Sequence, residues 1–215
     1  MNIKLAIFDF DGTLMDTQKP IVIAKQQTMK EMGLAIASDQ DCISTIGLTA
    51  KLGFKKIYPE LSEETLDLCV KNYRENFDKV IKSVPPELFP GVKETLDTLG
   101  KMGITCTIAT SRNKKSLVEF LELSDIKKYF PYILAGEDTP LQKPNPDPVL
   151  KTLSDLSFKA EESLVIGDMP YDILMGKNAG TQTCGVTFGN ADRETLKKAG
   201  ANYIIDTMSE LLDLF

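Results

Sequence analysis

Short apolar stretches of strand length alternate with helical patterns along most of this chain, and that rhythm limits the possible folds more than any other feature. The strand candidates are Lys4–Phe8, Thr105–Ala109, Tyr132–Ala135, Ser163–Ile166, Thr183–Thr187 and Tyr203–Ile205. Between them, Val92, Leu96 and Leu99 recur at helical spacing until Gly103 stops the pattern, and Val149, Leu150, Leu153 and Leu156 do the same after Pro148. Strand alternating with helix predicts an α/β fold: a doubly wound, Rossmann-like parallel sheet covered on both faces. A chain of 215 residues is long enough to bury such a core.

The rhythm stops between about Thr17 and Pro90, where no strand signal is visible. Leu66, Val70, Tyr73, Phe77 and Val80 fall on one helical face, with Ser62 as N-cap and Glu63 and Glu64 in the first turn, where the helix dipole favours them. An earlier helix spans roughly Pro20 to Met32 and ends at Gly33. The proline-rich "SVPPELFPG" then returns the chain to the α/β rhythm. The expected organisation is a core from residues 1–16 and 85–215, with residues 17–84 inserted as an all-helical cap. The cap is expected to pivot as a lid near Asp16 and Pro86.

Composition narrows the chemistry. The net charge of −6 and the lack of any dense Lys/Arg run argue against a nucleic-acid groove. No apolar run approaches the ~20 residues of a membrane helix, and the opening residues show no signal-peptide pattern. Cys42, Cys69, Cys106 and Cys184 are far apart and form no CxxC pair, so they are read as reduced thiols of a cytoplasmic protein; separately, a monomer or weak homodimer is expected. Histidine is absent, which removes His-based triads and bases. Carboxylates, lysine and hydroxyls must carry any reaction.

Doubly wound sheets bind ligands outside the carboxyl ends of their strands. Asp9 and Asp11 follow the first strand, in "FDFDGT", and Thr110 and Ser111 follow the second. Lys143 precedes the fourth, in "LQKPNPDP", and Asp168 and Asp172 follow it, in "VIGDMPYD". Taken singly, each has a bland reading: a solvated turn, a helix N-cap, a surface lysine. Together, in this order and strand context, they point to a hard cation and a phosphate. Mg²⁺ is typically held by one or two carboxylates, with water and phosphate oxygens completing its shell. Such an ion would also explain why a buried strand runs into two carboxylates.

The run of "DFDGT", a strand ending in Thr110, Lys143-Pro144 and "GDMPYD" resembles the haloacid dehalogenase superfamily, most closely its phosphoglycolate-phosphatase-like branch. The resemblance covers nearly the whole chain. It implies that Asp9 is a nucleophile forming an aspartyl-phosphate and is also a metal ligand. Asp11 is then the general acid and later the base, and its carbonyl is a metal ligand. Thr110, the Ser111 amide, Gly12 and Lys143 serve the phosphoryl group, Lys143 also orients Asp9, Asp168 ligates Mg²⁺, and Asp172 supports the site through water. A proton-carrying Asp11 calls for neighbours that raise its pKa.

The implied activity is hydrolysis of a small phosphate monoester, phosphoglycolate-like or sugar-phosphate-like. A phosphosugar mutase on the same scaffold and a phospho-accepting signalling domain are the alternatives. A lid of this size suits an enzyme that must exclude water, and the absence of histidine argues against the mutase. The loop Ser44–Lys51 would face the substrate. Ser44 and Thr45 stand where related caps often carry arginine, which leaves glycolate phosphate, sugar phosphate, nucleotide and pyrophosphate open as substrates.

Overall fold

The computed structural model describes residues 3–215. Its main sheet has six strands: β1 (Leu5–Phe8), β4 (Thr105–Ala109), β5 (Tyr132–Leu134), β6 (Ser163–Gly167), β7 (Gln182–Val186) and β8 (Tyr203–Ile205). The order across the sheet is β5-β4-β1-β6-β7-β8, and every pairing is parallel. The chain winds from β1 outward to β5, then returns to the other side of β1 and winds out to β8. The switch point is therefore at the carboxyl end of β1, the place where doubly wound folds bind ligands.

Each strand forms where the sequence is apolar enough to be covered on both faces. All four residues of β1 are fully buried. Ala6 and Phe8 pack into one hydrophobic cluster, while Leu5 and Ile7 pack into another on the opposite face. Alternation along the strand sends successive side chains to opposite faces. Each large side chain so buried is worth roughly 1.5–3 kcal/mol. Helices α5 (Val92–Lys101), α6 (Lys114–Leu123), α7 (Asp147–Leu156), α8 (Pro170–Asn178) and α9 (Arg193–Ala199) supply the covering layers.

The insert consists of α1 (Gln18–Glu31), α2 (Asp39–Ile43), α3 (Ala50–Ile57) and α4 (Glu63–Val80). It has its own small core of Val22, Met29, Cys42, Phe54, Tyr58, Leu66 and Cys69. Ser62 caps α4 by accepting from the Thr65 amide, as its position implies. Helix α1 begins at Gln18, ahead of the expected Pro20. A proline is tolerated in the first turn because an amide there has no intrahelical partner.

One sequence expectation fails here. A strand does lie before Pro90: β3 (Glu87–Leu88) pairs antiparallel with β2 (Met15–Asp16). These two residues on each side are the chain's exit to the insert and its return from it. The ribbon adds nothing to the main sheet. It forms because the two connections lie side by side and satisfy each other's backbone, a cause with no apolar signature.

Candidate active site

Asp9 immediately follows β1 and is 2 % exposed. Its amide donates to the Ile166 carbonyl of β6, extending the sheet by one residue and fixing the carboxylate over the strand ends. Lys143 Nζ lies 2.7 Å from Asp9 Oδ1 and 2.6 Å from Asp172 Oδ1, with about 1 % of its side chain exposed. Neither oxygen of Asp9 accepts an aligned hydrogen bond among the described residues. Lys143 therefore acts on Asp9 as a close positive charge, while it donates a true hydrogen bond to Asp172.

Asp168 and Asp172 come from the loop after β6 and the first turn of α8. Asp168 accepts from Thr13 Oγ1 at 3.1 Å, the Asn190 amide at 2.8 Å and Asn190 Nδ2 at 2.6 Å. Asp172 Oδ2 accepts from the Met169 amide at 3.0 Å. One oxygen each from Asp9, Asp168 and Asp172 lies within 4.8 Å of the others. Gly12 is what lets the first loop approach this closely. Its φ is +84°, and a Cβ there would stand 2.2 Å from Asp168 Oδ2.

Three buried carboxylates share one buried lysine, so the cluster keeps an excess negative charge in a medium that disfavours it. Burial pushes the Asp9 carboxyl up to about 7; Lys143 pulls against this and Asp172 adds to it. Burial also raises Asp168, reinforced by Asp172 and Asp9. Burial alone would lower the Lys143 ammonium, but Asp172 and Asp9 together hold it above the ordinary lysine range. Oxygen-only donors, two unbonded carboxylate oxygens and a charge deficit fit a hard divalent cation such as Mg²⁺.

Asp11 points elsewhere. Its carboxylate accepts from Thr17 Oγ1 at 2.6 Å and from Arg112 Nε and Nη2 in a fork, with contacts of 2.5 to 3.2 Å. The charged neighbour of Asp11 is thus the Arg112 guanidinium. Arg112 is itself locked. Phe10, Phe77 and Phe120 surround it at 5.5, 4.9 and 5.0 Å, and its Nη1 donates to Ser116 Oγ at 2.7 Å. Sequence reasoning missed Arg112 because its partners are 101 residues away at Asp11 and across the insert at Phe77. Its adjacency to Thr110-Ser111 was the available signal. It also missed Asn190, which lies in "GVTFGN" and orients Asp168.

Thr110 immediately follows β4, and its hydroxyl accepts from the Arg112 amide at 3.2 Å. Ser111 Oγ donates to the Gly47 carbonyl at 2.7 Å, joining core to insert. Tyr171, at the start of α8, makes a second such joint by donating to the Ser44 carbonyl at 2.9 Å. Together these bring the loop after α2 over the carboxylates. Asp9, Asp11, Thr110, Ser111 and Arg112 from the core, and Lys25, Thr45 and Gly47 from the insert, line one cavity of about 970 Å³. Lys143, Asp168 and Asp172 do not line it; they are buried next to Asp9.

Comparison with known proteins agrees with this architecture. The profile of the haloacid dehalogenase-like hydrolase family matches residues 6–186. The chain is 34% identical to a phosphoglycolate phosphatase of Vibrio parahaemolyticus, over 99% of this chain and 96% of that one. It is 31% identical to the pyrophosphatase PpaX of Halalkalibacterium halodurans, over 100% and 97% of the two chains. A crystal structure of a predicted phosphatase from Clostridium acetobutylicum superposes with a TM-score of 0.90 at 26% identity, covering 100% of this chain and 98% of that one. Matched along nearly its whole length in sequence and in fold, the chain belongs to the haloacid dehalogenase-like hydrolase family.

Proposed function

We propose that the protein is a Mg²⁺-dependent phosphatase of small phosphate monoesters that works through an aspartyl-phosphate on Asp9. One observation carries the reading: a buried carboxylate with two unbonded oxygens faces a large cavity, backed by two further carboxylates and a lysine. Asp9 and Asp168 would hold the ion directly, with the Asp11 carbonyl, and Asp172 would support them. The ion would supply charge neutralisation between the anionic nucleophile and the phosphate dianion, which otherwise repel.

The chain's own residues do the rest. An Asp9 oxygen attacks phosphorus in line as the bond to the leaving oxygen breaks, and Asp11 gives that oxygen its proton. Water then attacks the aspartyl-phosphate, Asp11 takes a proton from it, and phosphate leaves with Asp9 restored. Thr110, the Ser111 amide, Gly12 and Lys143 steady the phosphoryl group. To reach the leaving oxygen, Asp11 must give up part of its fork with Arg112, which ties acid readiness to substrate entry.

The lid role of residues 17–84 is supported by the cavity's two-sided lining and by the β2–β3 ribbon at the crossing. Among the described residues no helix is long and apolar enough to cross a membrane. Four buried free cysteines support a reducing, cytoplasmic setting. The test is phosphate release from p-nitrophenyl phosphate. We expect turnover with Mg²⁺, loss with EDTA, and no turnover by Asp9→Asn. EDTA-resistant activity, or near-normal activity of Asp9→Asn, refutes the reading.

A further inference from the structure

Lys25, in the middle of α1, lines the same cavity as Asp9 and is only 3 % exposed. Its ammonium donates to Thr45 Oγ1 and, at 3.3 Å, to the Cys42 carbonyl. Its third N–H has no protein partner, and no carboxylate lies within ion-pair distance among the described residues. The other cavity-lining cations differ. Arg112 is neutralised by Asp11, and Lys51 by Asp67 and Glu63. Lys71, Arg74 and Lys115 are exposed at the mouth. Among the described residues, Lys25 is thus the one buried cation lining the cavity that no carboxylate pairs with.

Such a charge is costly. Burial pulls its pKa down to about 8, with Cys42 and Asp11 offsetting part of this, so the group is still mostly charged at neutral pH. Its two hydrogen bonds need a donor there, not a charge. A structural lysine capping the last carbonyls of α2 would explain Cys42 but not why a buried ammonium with an unused N–H belongs to a residue that lines the cavity. In-line attack places the leaving group on the side of phosphorus opposite Asp9. Lys25 and Thr45, both from the insert, line the same cavity as Asp9.

We propose that Lys25 is a subsite for a second negative charge, carried on the leaving group. Resting on the phosphatase reading, this makes the preferred substrate class a small phosphate ester or anhydride whose leaving group is itself anionic, a carboxylate or a second phosphate. Lys25 then replaces, from α1, the cap-loop cation that Ser44 and Thr45 do not provide.

Three probes separate the sources: ethyl phosphate, with no second charge, 2-phosphoglycolate, with a carboxylate, and pyrophosphate, with a second phosphate. The wild-type enzyme should show higher kcat/KM for at least one anionic probe than for ethyl phosphate. Lys25→Met removes charge and donors, whereas Lys25→Gln removes the charge but keeps an N–H donor on a side chain one bond shorter. In both, the ratio of anionic probe to ethyl phosphate should fall at least about tenfold, mainly through KM, while the melting temperature holds or rises. A ratio unchanged in both variants overturns the subsite, as does an equal loss on all three probes. Isothermal titration of the Mg²⁺-loaded protein with the same probes keeps the two claims apart. Lys25-dependent binding without turnover would sink the phosphatase reading and leave the subsite standing. Turnover without a Lys25-dependent preference would do the reverse. If no probe binds or turns over, the subsite is refuted as well.

Discussion

Asp9→Asn should inactivate this protein and also make its metal-free form more stable. The carboxyl of Asp9 rises from 3.8 to about 7 on folding, chiefly because it is buried. A folded pKa above the unfolded one means that stability is fully present below 3.8 and is lost as pH climbs through 7. The shift corresponds to about 4 kcal/mol above pH 7 and about 2 kcal/mol at pH 5. Asparagine keeps the shape of the protonated acid and removes this cost. Lys143 is not stranded by the change, because Asp172 still pairs with it at 2.6 Å. In EDTA at pH 8 the variant should therefore melt roughly 8–16 °C above wild type, and at pH 5 by about half as much. Thermal unfolding at both pH values is the assay. With Mg²⁺ the ranking should narrow or invert, since wild type gains more from the ion. A variant less stable than wild type at pH 8, or equally shifted at both pH values, would show that the carboxylate cluster is not electrostatically frustrated.

Two further outcomes follow from the same geometry. Protons compete with the ion for Asp9 and Asp168, both raised by burial, so Mg²⁺ affinity measured by titration calorimetry should fall at least about tenfold per pH unit below about pH 7; a flat profile from pH 5.5 to 7.5 would contradict the ligand set. Arg112→Met should keep the packing among Phe10, Phe77 and Phe120 but free Asp11 from its fork. We expect kcat to fall at least about tenfold with smaller change in KM, and Arg112→Lys to recover part of it; unchanged kcat in Arg112→Met would remove Arg112 from the positioning of Asp11.

The six main strands were legible because each must be apolar on both faces to lie inside a parallel sheet, and that requirement is written locally, as in Leu5–Phe8. The pairing of Met15–Asp16 with Glu87–Leu88 was not, because it arises from two backbones meeting across the whole insert. The same division runs through the site. Asp9 and Asp168 follow strand ends and Asp172 opens α8, so strand order alone brings them to one edge; Lys143 reaches the same edge from the loop between β5 and α7. Arg112 and Asn190 act through partners 101 and 22 residues away, and nothing beside them in the chain announces those partners. Lys25 sits in a helix whose apolar and polar positions are weakly segregated, so its burial depends on how α2 and the loop carrying Thr45 fold over it.

The central claim is that phosphoryl transfer passes through Asp9 and needs the divalent ion. Acid quenching during turnover of 2-phosphoglycolate or p-nitrophenyl phosphate, followed by borohydride reduction and peptide mass spectrometry, tests it directly. An aspartyl-phosphate is reduced to homoserine where it stood. We predict homoserine at position 9 and at no other aspartate, present with Mg²⁺ and absent with EDTA. Steady phosphate release without that mark, or the mark at another aspartate, would contradict the account.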